Sequence, residues 1–290
     1  MTNAIDQSPA MGRRRLRTEL RRARDAAEMT QEQVSREMDW SLSKLIRIET
    51  GAVGVSTVDL KALLRLYGVD DPQQVKELTR LARASRRRPD WWAGYRDLIS
   101  DQYRKYIEFE KAATRIRSWR PLLVPGLLQT EAYARAIVAH GGLNRPTERD
   151  IDRWVEIRMI RQRELFEHDP PHVGALLGEA VVRQIVGGPK VMREQLSTLI
   201  EKSGPNIEIR VVPFTAGTHP GLSGGFAIME FQDELDLDVV YLETARNDMI
   251  DVERPSTVNR WEQAFTDIGG LAMSQADTTA LLHKLVKELA

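Results

Sequence analysis

Cysteine is absent from this chain of 290 residues. Its absence excludes disulfides, thiolate metal sites and cysteine nucleophiles, and it agrees with a reducing compartment. Long apolar runs are also missing. Nothing approaches the roughly eighteen consecutive apolar residues of a membrane-spanning helix. The amino-terminal MTNAIDQSPAMGRRR has no apolar stretch leading to a small-residue cleavage site, so no secretory signal is expected and a cytoplasmic protein is. Net charge is missing as well, with 42 Lys/Arg against 42 Asp/Glu. That balance hides an asymmetry. Residues 1–90 hold 18 basic against 13 acidic side chains, whereas residues 91–290 hold 24 against 29. Such a split fits a chain in which the first domain meets a polyanion and the second does not. A hydrophobic content of 42% supplies enough material for two buried cores.

Residues 1–12 are polar, contain Pro9 and show no apolar period, which predicts a disordered tail. Helix periodicity begins at Arg13, with Leu16, Leu20, Ala23 and Ala27 on one face and seven arginines largely around it. Those arginines fit either a solvated face or contact with phosphates. Thr30 then carries a helix-start signature, because Gln33 stands three residues on to close a capping box and Met29 can staple onto Val34. The second helix starts near Gln31 and ends near Met38. Ser41 is placed to cap a third helix in which Leu45 and Ile48 turn inward and Gly51 supplies the stop. Two short helices joined by a tight turn cannot bury a core alone. Ser56 with Asp59 caps a fourth helix lined by Leu60, Leu63, Leu64 and Tyr67. Asp71-Pro72 opens a fifth, carrying Val75, Leu78, Leu81 and Ala82. The expectation is an all-α five-helix domain over residues 13–84.

The stretch MTQEQVSREMDWSLSKLIRIETG therefore reads as a helix-turn-helix. A helix that enters the major groove presents its first turn to base edges. There Lys44 or Arg47 can donate to guanine, Leu42 can meet a thymine methyl, and Ser43 tolerates several bases. The alternative is that Lys44 and Arg47 are solvated charges, or that Arg47 pairs with Glu37 or Glu49. TQEQVSREMDWSLSKLIRIETG followed by GVSTVDLKALLRLYGV closely resembles the Xre family of Cro- and phage-repressor-like helix-turn-helix domains. That resemblance implies that Gln31 contacts phosphate or a base, that Ser41 opens the recognition helix, and that Leu42, Ser43, Lys44 and Arg47 face the major groove of double-stranded DNA. Two positions depart from the family pattern. Ile46 stands where a small polar residue is usual, so that it covers a neighbouring helix or contacts DNA apolarly. Ala52 stands where a basic residue often holds phosphate.

Residues 85–100 read as a basic, then aromatic linker, in which SRRRPD, the end of the basic stretch that starts at Arg83, is followed by Trp91, Trp92 and Tyr95, expected to pack on the second domain. Over residues 101–290 the pattern is α+β. Tyr106, Phe109, Ala113 and Ile116 mark one long helix from Asp101 to Trp119, stopped by Pro121, and another spans Glu148 to Glu167. Strand signals cover His172–Leu177, Ile207–Val211, Phe226–Phe231 and Val239–Glu243, which predicts a small antiparallel sheet. Helical pattern returns around Trp261 and Phe265, and again behind Ser274 with Leu281, Leu282, Leu285 and Leu289.

Chemistry is sparse in this second domain. His168 and His172 have metal-like spacing, but Asp169-Pro170-Pro171 between them dictates a loop and no third ligand accompanies them. The glycines around His219 lead into a strand rather than a helix, so they make no phosphate cradle. The acidic run from Asp233 to Asp238 lacks the spaced ligands and fixed glycine of a calcium loop. No serine stands in a nucleophile elbow. Neither an enzyme, a metal nor a cofactor is expected. What remains is a platform that dimerises, binds a partner or holds a small ligand, with the Tyr106–Ile116 helix and the leucines of residues 281–289 as interface candidates. IRSWRPLLVPGLLQTEAYARAI, RMIRQRELF, GEAVVRQIVGGPKVMREQL and RVVPFTAG resemble the DUF5753 domain, found behind an Xre domain in Scr1-type antitoxin-like regulators of actinobacteria. The resemblance implies a transcription regulator with a small DUF397-type protein as a possible partner. The combined expectation is a homodimer on a two-fold symmetric operator. The alternative is an antitoxin-like switch in which a partner or ligand controls DNA binding.

Overall fold

The structure, a computed structural model, describes residues 9–50, 53–84, 91–140, 146–167, 169–232, 238–243, 249–252 and 255–289. The chain divides into two compact units, residues 1–91 and 92–290.

In the first unit five helices appear among the described residues: α1 (Pro9–Ala26), α2 (Gln31–Glu37), α3 (Leu42–Glu49), α4 (Thr57–Leu66) and α5 (Pro72–Ala84). Helix α1 starts four residues ahead of the expected Arg13, inside the stretch expected to be disordered. Proline is well suited to a first helical turn, where its missing N–H would have had no partner. Three starts are capped as the sequence suggests, by Thr30, Ser41 and Ser56. At the first, the Thr30 hydroxyl accepts from the Gln33 N–H at 3.2 Å and the Gln33 side chain accepts from the Thr30 N–H at 2.7 Å. Leu16, Leu20, Val34, Leu45, Ile48, Leu60, Leu63, Leu64, Leu78 and Leu81 form the core, with Met29 and Trp40 packed at its rim. Each such leucine contributes about 1.5–3 kcal/mol by leaving water, before the entropy of ordering is subtracted.

A 3₁₀ turn at Trp91–Tyr95 leads into the second unit, where Trp92 is buried. The long helix expected from Asp101 to Trp119 is in fact two elements, α6 (Asp101–Ala112) and strand β1 (Arg115–Arg120). The backbone turns extended at Ala113 (φ −71°, ψ 139°). From there Ile116, Ser118 and Arg120 alternate with Arg117 and Trp119 across the sheet. Three arginines in a central strand concealed its period. After β1 come α7 (Glu131–His140), α8 (Glu148–Glu167), β2 (His172–Gly178), α9 (Glu179–Arg183), α10 (Pro189–Lys202), β3 (Ile207–Val212), β4 (Phe226–Glu230), β5 (Val239–Glu243), β6 (Met249–Val252), α11 (Pro255–Leu271) and α12 (Gln275–Glu288).

The six strands form one sheet in the order β3-β2-β1-β4-β5-β6. It is mixed rather than antiparallel as expected. β1, β2 and β3 run parallel, and β1, β4, β5 and β6 pair antiparallel. Helical crossovers between β1 and β2 and between β2 and β3 return the chain to the same end of the sheet, which forces parallel pairing. Ala175, Leu177, Ile209 and Val211 pack against Met192, Leu196 and Leu199 of α10 and Leu282 and Leu285 of α12. On the opposite face Trp119, Leu176, Phe226, Ile228 and Val240 meet Val258 and Ile268 of α11. The apolar faces of both segments expected as interfaces take part in this packing. Tyr106 of α6 meets Tyr241 edge to face and Phe109 meets it tilted, with ring centroids 4.8 and 6.2 Å away. Ile116, Leu282 and Leu285 are buried, and Leu281 and Leu289 lie half-buried against the same cluster.

Candidate nucleic-acid interface

Helix α2 ends at Glu37 with Met38 as its cap, and Asp39 takes a left-handed conformation (φ 52°) that short polar side chains tolerate better than others. The Trp40 N–H donates to Ser35 O at 2.8 Å, closing the turn, and Ser41 Oγ accepts from the Lys44 N–H at 3.2 Å to start α3. Leu45, Ile48 and Glu49 are the buried residues of α3. With 3.6 residues per turn, the stripe opposite them comprises Ser43, Ile46, Arg47 and Thr50, all exposed. Leu42 and Lys44 flank it and are half-buried.

The six residues singled out in the sequence therefore occupy different settings. Ser43 and Arg47 project outward. Ser41 is the helix cap, which uses its hydroxyl oxygen and leaves its O–H to donate. Gln31 donates its carboxamide to Glu49 Oε2 at 2.7 Å, so one of its two N–H groups is already engaged. The Lys44 ammonium lies 3.6 Å from the centroid of the Trp40 ring and 3.3 Å from Asp59 Oδ2 on α4. These two contacts latch the ammonium at the side of the stripe. Sequence reasoning missed this latch and the outward position of Thr50. It left Ile46 either covering a neighbouring helix or contacting DNA apolarly, and a helical wheel places it outward, three residues after Ser43 and beside Arg47. Ala52 lies outside the described residues.

Glu49, 1% exposed, does not pair with Arg47. Its carboxylate takes the Arg24 Nε at 2.8 Å and the Gln31 amide, tying α1, α2 and α3 together. Burial works to lower the Arg24 guanidinium, but the hydrogen bond and charge of Glu49 outweigh it and hold the group above its ordinary value. The nearby Tyr67 hydroxyl is pushed up, by burial first and by the Glu49 charge second. Arg17 Nη1 donates to Thr50 O at 3.3 Å, a cation at the carboxy-terminal end of α3 where the helix dipole favours it. Part of the arginine-rich face of α1 is thus internal machinery. Arg21 and Arg22 remain exposed.

The second unit is a scaffold of polar clamps. Gln129 Nε2 donates to Val124 O, Gln162 Nε2 to Gly126 O and Gln129 O, and Gln195 Nε2 to Leu128 O. These bonds satisfy the buried backbone of the loop between β1 and α7. Beside it Arg161 and Glu110 form a buried ion pair at 2.7 Å, and Arg161 donates to the Tyr103 hydroxyl at 2.6 Å. Burial pushes the Glu110 carboxyl up, with Arg161 opposing the shift. A groove of about 330 Å³ opens between α11 and the sheet, lined by Arg115, Arg117, His172, Glu208, Arg210 and Phe265. Its charges are largely met internally. Arg117 pairs with Glu230 and Glu262, and Arg210 donates to the carbonyls of Gly269, Ala272 and Met273 at the end of α11. His172 is exposed at the start of β2, whereas His168 and residues 233–237 lie outside the described residues. His219 accepts from the Gly221 N–H and sits edge-on to Trp119. Among the described residues no group of three or more His, Asp or Glu side chains is placed to hold a metal ion, and no helix is long and apolar enough to cross a membrane.

Comparison with known families agrees with this division. A helix-turn-helix domain model matches residues 15–78, and a model described as a domain of unknown function (DUF5753) matches residues 103–284. No curated protein and no solved structure matches the chain. The helix-turn-helix match points to a DNA-binding regulator rather than an enzyme. Since the second model covers more than half of the residues, the chain belongs to the DUF5753 family, with a helix-turn-helix domain ahead of that family's domain.

Proposed function

We propose that this protein is an Xre-type transcription regulator that binds a two-fold symmetric operator as a homodimer in the cytoplasm, reading bases through α3. The observation that carries the reading is the outward stripe of α3, with Ser43 and Arg47 exposed on a helix fixed by the Ser41 cap and by the buried Glu49. Gln31, Ser41, Leu42, Ser43, Lys44 and Arg47 are the proposed DNA-contacting set. Arg47 suits the bidentate acceptors of guanine, and Ser41 and Gln31 retain donors for phosphate. Footprinting on the DNA upstream of its own gene tests the proposal. A protected pseudo-palindrome at moderate salt is expected, and uniform salt-sensitive binding without a footprint would overturn it. Arg47→Ala should cost about 1–3 kcal/mol and relax preference at one position of each half-site. Equal weakening on all sequences would place Arg47 on phosphate alone.

A second reading is an antitoxin-like switch in which the DUF5753 domain binds a small DUF397-type protein. It is supported by Leu122, Phe214 and Leu222, exposed by 65, 65 and 68%. They follow β1 and β3 and precede β4, at the end of the sheet where the parallel strands finish. Co-purification with the product of a neighbouring gene, lost in a Leu122→Asp/Phe214→Asp variant, is the expected result. Undiminished capture by that variant would move the contact elsewhere.

A further inference from the structure

On the outward stripe of α3 an apolar side chain stands directly beside a cationic one. Ile46 is 38% exposed, and it belongs to none of the core cluster that takes its neighbours Leu45 and Ile48. Branched aliphatic side chains are usually among the most buried. Lys44, the nearest other cation on the helix, is held to one side by Trp40 and Asp59. Ser43, one turn before Arg47, is short and leaves room on the stripe for the two longer side chains.

We infer that Ile46 is a base-specificity residue that reads the C5-methyl group of a thymine next to the guanine engaged by Arg47. The inference rests on the proposal that α3 enters the major groove. There, the methyl of thymine is the apolar feature that a base edge offers. An isoleucine has no donor or acceptor, so setting it against a cytosine amino group or a phosphate would strip those groups of water without replacing the lost hydrogen bonds. Adjacent residues of a helix diverge by about 100° around its axis, so Ile46 and Arg47 address neighbouring base pairs rather than one. The pair together selects a thymine–guanine step.

The test uses the full chain and a duplex selected by it from a random pool, resynthesised with uracil replacing thymine at one position at a time. Uracil keeps every hydrogen-bonding group of thymine and lacks only the methyl. For the unaltered protein, one uracil per half-site, beside the guanine whose loss Arg47→Ala tolerates, should weaken binding by about fourfold, the worth of one buried methyl. Ile46→Ala, a change on an exposed helix face, should bind the thymine and uracil duplexes equally at that position while its melting temperature stays that of the parent. Loss of binding with uracil in both proteins would assign the methyl to another side chain, such as Leu42, and overturn the inference. So would a selected sequence at which uracil is tolerated everywhere. Failure to select any sequence would remove the DNA-reading proposal itself and this inference with it.

Discussion

Asp59→Asn provides a test of whether the Lys44 latch restrains DNA binding. Lys44 is held by an ion pair of 3.3 Å in which both side chains remain partly exposed, and by the face of Trp40. Solvent screening limits the ion pair to about 0.2–1 kcal/mol. The ring adds about 0.5–1 kcal/mol. Asp59→Asn removes only the first contribution, so Lys44 should become available to DNA with a gain in affinity of up to about fivefold. If the freed ammonium then neutralises one phosphate, the slope of log affinity against log salt should steepen by about 0.9. The substitution weakens the favourable charge at the start of α4, at a cost to stability of about 0.3–1 kcal/mol. Removing an acid near DNA also lowers general repulsion. The decisive assay is therefore a four-protein cycle of the parent, Asp59→Asn, Lys44→Gln and the double variant, titrated with one duplex by fluorescence anisotropy at several salt concentrations. The gain should vanish when Lys44 is already Gln. An equal gain in both backgrounds would refute the latch and leave Asp59 as a simple repulsive charge.

Other expectations concern stability and pH. Glu49→Gln breaks a buried ion pair beneath the recognition helix and should destabilise the first domain by about 3–5 kcal/mol in denaturant titrations; a loss below about 1 kcal/mol would mean that Arg24 finds water instead. Gly221→Ala should cost about 1–3 kcal/mol in thermal melts, because a Cβ there would stand 2.6 Å from Trp119 Nε1; an unchanged melting temperature would show that the indole gives way without cost. The hydrogen-bonded guanidinium of Arg153 holds Asp97 down to about 2, against an ordinary 3.8. A depressed carboxyl stabilises the fold above its unfolded value and loses that contribution as pH falls through the folded one. Asp97→Asn should therefore flatten the pH dependence of stability between about pH 4 and pH 2 relative to the parent, and coincident profiles would contradict the pairing.

The first domain was readable because its determinants are local. Thr30 with Gln33, Ser41, and Ser56 are each decided within three residues, and the leucine periods need no distant partner. Ser43 and Arg47 fall on the outward stripe, where helical periodicity alone places them. Lys44 could not be placed in this way, because Asp59, fifteen residues away, determines where its ammonium rests. In the second domain α8 and the apolar strands β2 to β5 were visible, whereas β1 was not. Its Arg117 is neutralised by Glu230 and Glu262, and only the assembled sheet shows why a strand so rich in charge can lie at its centre. Missing β1 also hid the parallel half of the sheet, since β2 then had no earlier strand to follow.

The position of β1 bears on how the chain is made. Both of its neighbours are synthesised after it: β2 begins at His172, and Thr114 Oγ1, just ahead of β1, waits for a carbonyl 116 residues further on. The ion pair that ties α1 to α3 spans only 25 residues. A ribosome therefore releases a helix-turn-helix domain able to fold at once, attached to a strand with both edges unpaired. Pairings of such long sequence separation form slowly, and an open strand edge is the part of a nascent chain most prone to pair with the wrong partner. The production of soluble protein should depend more on translation reaching β4 without delay than on anything in the DNA-binding domain.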